Sequence, residues 1–131
     1  MQQKAILKNA WPYQQDKMTL PVKDIETALP FYETKFRFRI LERNSSPFKT
    51  AILERDGIQI GLAENGGDPS QDGCFFEVDY IEVARQELAA NGLEKEISAI
   101  DIHKHGDTSW RVFFVVAPDG LCYCFGERIT N

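Results

Sequence analysis

The side chains of this chain that could do chemistry are few, and most fall in its second half. His103 and His105 stand two apart. A strand would put both imidazoles on one side, where such a pair can bind zinc or copper. Asp101 and Asp107 are the acids nearest in sequence; the plainer reading of the pair is a solvated hairpin end, and a third is part of a lid. Cys122 and Cys124 are also two apart, which is not the CxxC spacing of a redox pair. They read as small apolar lining unless further ligands join them. Glu77 can act as a base, hold a cationic group, or be solvated at a strand end. Trp110 can stack on an aromatic or cationic ligand, and the neighbouring Arg111 can fix a carboxylate through two hydrogen bonds. Against these stand ordinary packing for Trp110 and a surface ion pair for Arg111. No Ser-His-Asp set, phosphate loop or dinucleotide fingerprint is present, so no catalytic residue is assigned.

What must position these groups is written in the chain twice. Val22-Lys23-Asp24-Ile25-Glu26 recurs as Val78-Asp79-Tyr80-Ile81-Glu82, at an offset of 56. Asp56-Gly57-Ile58-Gln59-Ile60-Gly61-Leu62-Ala63-Glu64 recurs as Asp119-Gly120-Leu121-Cys122-Tyr123-Cys124-Phe125-Gly126-Glu127, at an offset of 63. Two copies of one supersecondary unit are expected, with the site where they meet. The second copy carries about seven extra residues between Gly92 and Trp110, the stretch that holds both histidines.

At 131 residues the chain fits one domain or two small halves sharing a core. Its 43% hydrophobic and 27% charged content is that of a soluble globular protein. The formal net charge of −5 disfavours nucleic acid as a partner, since phosphate binding needs clustered Lys and Arg. No apolar run is long enough to span a bilayer, so no membrane partner is expected. Met1 to Lys8 show no long apolar h-region, and three cysteines, an odd number, sit inside apolar runs; a cytoplasmic location with reduced thiols is expected.

Residues 1–16 read as an N-terminal arm, non-helical around Trp11-Pro12-Tyr13 and packed on something that hides its rings. Met18 to Val22 reads as a strand. Asp24 is a good N-cap for a helix to about Phe36, with Ile25, Ala28, Leu29, Tyr32 and Phe36 as its apolar stripe; Pro30 inside it should weaken the first turns. Strands follow at 38–43, 48–55 and 58–63, the last two joined by the Asp56-Gly57 turn. Asn65 to Ser70 is a linker. The second copy repeats the order, with strands at 74–78, 97–103, 110–116 and 121–125 and a helix ended by Asn91-Gly92. Period-two alternation then assigns faces. Ile58, Ile60, Leu62 and Leu121, Tyr123, Phe125 should pack against the helices. Gln59, Gly61, Cys122 and Cys124 should line the opposite, open face, together with Lys17, Phe75 and Glu77. Phe48, Phe75 and Phe113 are candidate apolar walls. An open face of this kind is where a small molecule is expected.

Leu20 to Tyr32, with Ala117-Pro118-Asp119-Gly120 and the closing Phe125-Gly126-Glu127, resembles the vicinal oxygen chelate superfamily of glyoxalases, extradiol dioxygenases and bleomycin-resistance proteins. The resemblance covers about residues 17–128. It implies an α+β fold: one domain over 1–131, with βαβββ modules at about 17–64 and 73–128 forming a cupped, half-open mixed barrel with helices outside. Enzymes of the superfamily hold a metal at four matching positions, which here are Lys17, Gly61, Gly73 and Cys124. Gly offers no ligand and Lys is normally protonated, so the set falls short of the three donors a catalytic ion wants.

The resemblance therefore points to the metal-free branch, with no cofactor. The expected protein is a small-molecule binder similar to bleomycin-resistance proteins, taking an aromatic or cationic ligand in its cleft as a homodimer. The candidate ligand-binding residues are Lys17, Phe48, Gln59, Gly61, Phe75, Glu77, Trp110, Arg111, Phe113, Cys122 and Cys124. The alternative is a metal-dependent glyoxalase-like lyase or dioxygenase with nonstandard ligands such as His103, His105 and an acid.

Overall fold

The computed structural model describes residues 4–14 and 16–129. Eleven elements carry the architecture: β1 (Leu7–Pro12), β2 (Leu20–Pro21), α1 (Ile25–Thr34), β3 (Arg39–Asn44), β4 (Thr50–Arg55), β5 (Ile58–Ala63), β6 (Gly73–Val78), α2 (Ile81–Leu88), β7 (Asp101–His105), β8 (Thr108–Val116) and β9 (Cys122–Ile129). They form a four-stranded sheet in the order β2-β5-β4-β3 and a five-stranded sheet in the order β1-β6-β9-β8-β7. In each, the first strand of the repeat pairs in parallel with the last, Leu20 opposite Leu62 and Phe76 opposite Phe125. The remaining pairings are antiparallel. The sequence repeat is thus a structural repeat, and the sheets are cupped rather than closed.

The tight turn between β4 and β5 needs left-handed backbone at both central residues, Asp56 at φ 55° and Gly57 at φ 81°. Asp and Gly meet that demand at little cost. Helix α1 forms despite Pro30, because its stripe of Ile25, Ala28, Leu29 and Tyr32 is buried. That burial outweighs one missing backbone bond.

Period-two alternation reads the covered faces as observed. Ile60 and Leu62, and Leu121, Tyr123 and Phe125, are buried in one core with both helices. Tyr32 and Phe36, from α1 and the residues just after it, meet the rings of the other copy's sheet: Tyr32 lies 5.8 Å from Tyr123, and Phe36 lies 5.2 Å from Tyr123 and 5.5 Å from Phe125. Such edge-on aromatic pairs add to the area they bury. The two copies therefore join through their helix-covered sides.

Two local expectations are corrected. The strand expected over 18–22 shrinks to Leu20–Pro21, and Lys17–Thr19 is a single 3₁₀ turn. Asp16 accepts from the Met18 amide at 2.8 Å and diverts the backbone from the ladder. The strand expected at 97–103 starts later, at Asp101, leaving an isolated bridge from Ile97 to Val115. The arm is itself a strand: β1 adds antiparallel to the exposed edge of β6, with Trp11 opposite Phe75. No helix among the described residues is long and apolar enough to cross a membrane.

Candidate functional site

The uncovered face of the five-stranded sheet is set by its registers. Trp11 faces Phe75, Phe75 faces Cys124, Cys124 faces Phe114, and four residues along the ladder Trp110 lies between Arg128 and His103. Trp110, Val112 and Cys124, with Phe75 and Phe114 against them, make a second apolar cluster separate from the main core. An aromatic hollow of about 300 Å³ opens over this face, lined by Trp11, Tyr13, Phe75, His105 and Trp110. Phe75 lies edge-on to Trp110 at 5.0 Å, and Trp11 is 5.7 Å from Phe75 and 6.2 Å from Trp110. Trp110 is nearly buried at 7% exposure, whereas Trp11 and Tyr13 are 42% and 43% exposed. The inner wall is fixed and the outer one is open to a visitor.

Glycines let the rings settle. A Cβ at Gly126 would overlap the Phe75 ring, and one at Gly73 would overlap the Cys122 carbonyl and come within 2.6 Å of the Tyr13 ring. The Phe75 ring thus approaches β9 at Gly126 and the Tyr13 ring approaches Gly73, which an Ala at either place would prevent. The Tyr13 hydroxyl sits beside the Cys122 thiol, and burial raises the pKa of both groups.

The sequence-derived candidates divide by location. Phe75 and Trp110 line the hollow. Cys124 packs beneath it and the half-buried Cys122 lies beside Tyr13. Glu77 shares their face, buried, accepting from Asn9 Nδ2 at 2.8 Å. It borders an adjoining charged recess with Lys8, Asn9, Glu127 and Arg128. Lys17, Gln59 and Gly61 belong to the other sheet's side, where the Met18 carbonyl lies so close to Gly61 that a Cβ would overlap it. Phe48 is exposed in the loop before β4.

Arg111 and Phe113 lie on the opposite face of β8. Arg111 donates to Glu82 at 2.6 Å on the helix side, and Phe113 stacks on Phe125 at 5.1 Å inside the main core. Neither reaches the hollow, which corrects the expectation drawn for both. The hollow also lies on one sheet's open face, not at the junction of the copies. Trp11 and Tyr13, absent from the candidates, supply two of its walls. Their signal was present in the sequence, as large rings in an arm that had to pack somewhere.

The four superfamily anchor positions do not fit a metal ion. Gly61 and Gly73 carry no donor, and burial pushes the Cys124 thiol up to about 12, which keeps it protonated near neutrality. Asp101, His103 and His105 share one face of β7, with His103 Nε2 3.7 Å from Asp101 Oδ2. Even so, no three His, Cys, Asp or Glu side chains among the described residues are placed to hold an ion.

Solved structures share this fold. A bleomycin resistance determinant encoded on transposon Tn5 superimposes with a TM-score of 0.71 at 21% identity, over 89% of this chain and 99% of that one. The chain shares the fold of that determinant. TnmS3, an antibiotic binding protein from Streptomyces sp. CB03234, matches with a TM-score of 0.66 at 17% identity, covering 88% and 97% of the two chains. A protein from the mobile metagenome of V. pseudocholerae matches at 0.65 and 19% identity, covering 90% and 95%. No family model matches the sequence. No curated protein matches it either.

Proposed function

We propose that this vicinal-oxygen-chelate-fold protein binds a flat aromatic small molecule, without metal and without chemistry, in the hollow between Trp110, Phe75, Trp11 and Tyr13. The observation that carries the reading is the convergence of four rings, including both tryptophans of the chain, on one open hollow. Rings at 5–6 Å spacing offer stacking surfaces, and the described residues that line the hollow include no carboxylate. Sequestration needs nothing more. The bleomycin resistance determinant and the antibiotic-binding TnmS3, similar in fold, support this class of ligand.

The same reading takes the protein as a homodimer. One side of the hollow is open, and a second copy laid across it would bury Trp11 and Tyr13. A two-fold pair also suits a sheet whose far edge, β7, is short and charged and unfit to be extended indefinitely.

Both tryptophans line the hollow, so intrinsic fluorescence reports on it directly. Titration with bleomycin and with fused-ring compounds should quench the emission saturably in wild type and fail in Trp110→Ala. Light scattering should give twice the chain mass, and metal analysis of the purified protein should give no stoichiometric ion. A chelator-sensitive ion in a one-to-one ratio, or full binding by Trp110→Ala, would overturn the proposal.

A further inference from the structure

Of the chain's seven arginines, Arg37 donates to the Asn91 side chain at 3.5 Å and Arg85 to the Ser98 carbonyl at 2.9 Å. Arg39, Arg43, Arg55 and Arg111 each pair with a carboxylate. Arg128 instead lies over the indole of Trp110, its Cζ 5.1 Å from the ring centroid. The two are direct cross-strand partners, so the ladder fixes the stack. Among the described residues no carboxylate is within ion-pair distance of its guanidinium.

The acids nearest to it in the fold are already engaged. Glu127 accepts from the Ile81 amide at 2.8 Å. Asp79 accepts from the amides of Ile6 and Tyr80, each at 2.8 Å. Glu77 holds Asn9 at 2.8 Å and has Lys8 Nζ at 3.8 Å. The residues lining the aromatic hollow include no carboxylate at all. A guanidinium stacked on an indole keeps its N–H fork free in the ring plane, ready for a planar anion.

We infer that Arg128 is the specificity-determining residue of the hollow, and that the ligand is an aromatic anion: a flat ring system bearing a carboxylate or sulfonate. The ring enters among Phe75, Trp11 and Tyr13, and the acid pairs with Arg128 at the border of the charged recess. A cationic ligand, the other class the sequence suggested, would meet an unpaired guanidinium there. Glu77, Asp79 and Glu127 line the same recess, but each is already held by the hydrogen bonds given above, and exposed charges more than about 8 Å away are largely screened at physiological salt. The inference rests on the aromatic hollow being the binding site.

The test uses three probes of one shape and three charges: 2-naphthoate, 2-naphthylmethanol and 2-naphthylmethylammonium, titrated against the full chain by tryptophan fluorescence. Naphthoate should bind about 10-fold more tightly than the alcohol, with the ammonium weakest. Arg128→Gln should abolish that preference, and Arg128→Lys should retain part of it. Arg128 is exposed, so both variants should fold, which circular dichroism checks. Equal binding of naphthoate and alcohol, or a ratio unchanged in Arg128→Gln, would sink the anion assignment and leave the hollow standing. Tightest binding by the ammonium would do the same. If no probe binds, the hollow itself is not the site and both readings fall.

Discussion

The guanidinium of Arg55 donates to the carboxylate of Glu87 at 2.8 Å, tying β4 of the first copy to α2 of the second inside the core. Arg55 also donates to the carbonyls of Phe36 at 2.8 Å and Ala5 at 2.7 Å, and Glu87 accepts from the Ala5 amide at 3.3 Å. One ion pair thus joins the two halves and the N-terminal arm. Removing one partner leaves the other charged and buried, which costs about 3–5 kcal/mol, whereas apolar replacement of both costs far less. Arg55→Met should therefore lower stability in urea by roughly that amount. The double variant Arg55→Met/Glu87→Leu should recover most of the loss. Additive losses would show that the pair is not coupled.

The paired Glu64 and Glu127 have an equivalent job in each copy. Glu64 accepts from the Ile25 amide at 2.9 Å and Glu127 from the Ile81 amide at 2.8 Å, each closing the N-terminus of its own copy's helix. A side-chain cap is worth about 1 kcal/mol. Helix α1 has a second cap, since Asp24 accepts from the Glu26 amide, but Tyr80 makes no such bond for α2. Glu127→Ala should thus lower the melting temperature by several degrees more than Glu64→Ala. Equal losses in thermal denaturation would count against the capping account.

These two glutamates show why the fold was legible in the sequence. The repeat that contains them also contains the turn and the last strand, and a second repeat contains the helix start, so two duplicated patterns specify the unit. Faces were readable in β5 and β9, where large apolar residues alternate with small or polar ones. They were not readable in β8. Trp110, Val112 and Phe114 point one way and Phe113 and Val115 the other, so both faces are apolar and alternation gives no sign. That ambiguity put Phe113 and Arg111 among the candidates. The walls from Trp11 and Tyr13 were hidden for another reason: no local pattern tells an arm which sheet edge it will join.

Restoring ligands at the superfamily's anchor positions should fail for steric reasons. A Cβ at Gly61 would overlap the Met18 carbonyl, and one at Gly73 the Cys122 carbonyl. Both obstacles are backbone, which cannot swing aside as a side chain can. Overpacking of this kind costs about 1–3 kcal/mol, or more. Gly61→Ala and Gly73→Ala should each lower the urea midpoint, and Gly61→His/Gly73→His should gain no zinc affinity by calorimetry. A stable, zinc-binding double variant would show that the strands part more readily than their packing indicates.

Asp119 offers a pH-dependent test of the second copy's turn. Both carboxylate oxygens are buried without a hydrogen-bond partner among the described residues. Burial raises its pKa above the ordinary 3.8, and the amides of Asp119, Leu121 and Lys23 lie near enough to oppose the shift without making well-formed bonds. The folded chain therefore holds this proton more tightly than the unfolded chain. Its contribution to stability is present in full below the ordinary carboxyl value, and it is lost as pH rises through the raised one. Near neutrality the ionised Asp119 is a net destabilising group. Asp119→Asn removes the charge and keeps the shape, so it should raise the urea midpoint at pH 7. The advantage should shrink as the pH approaches 3.8 and vanish below it. A gain that persists unchanged in acid would have another cause, and a loss at pH 7 would mean that the carboxylate is held by bonds stronger than its burial is costly.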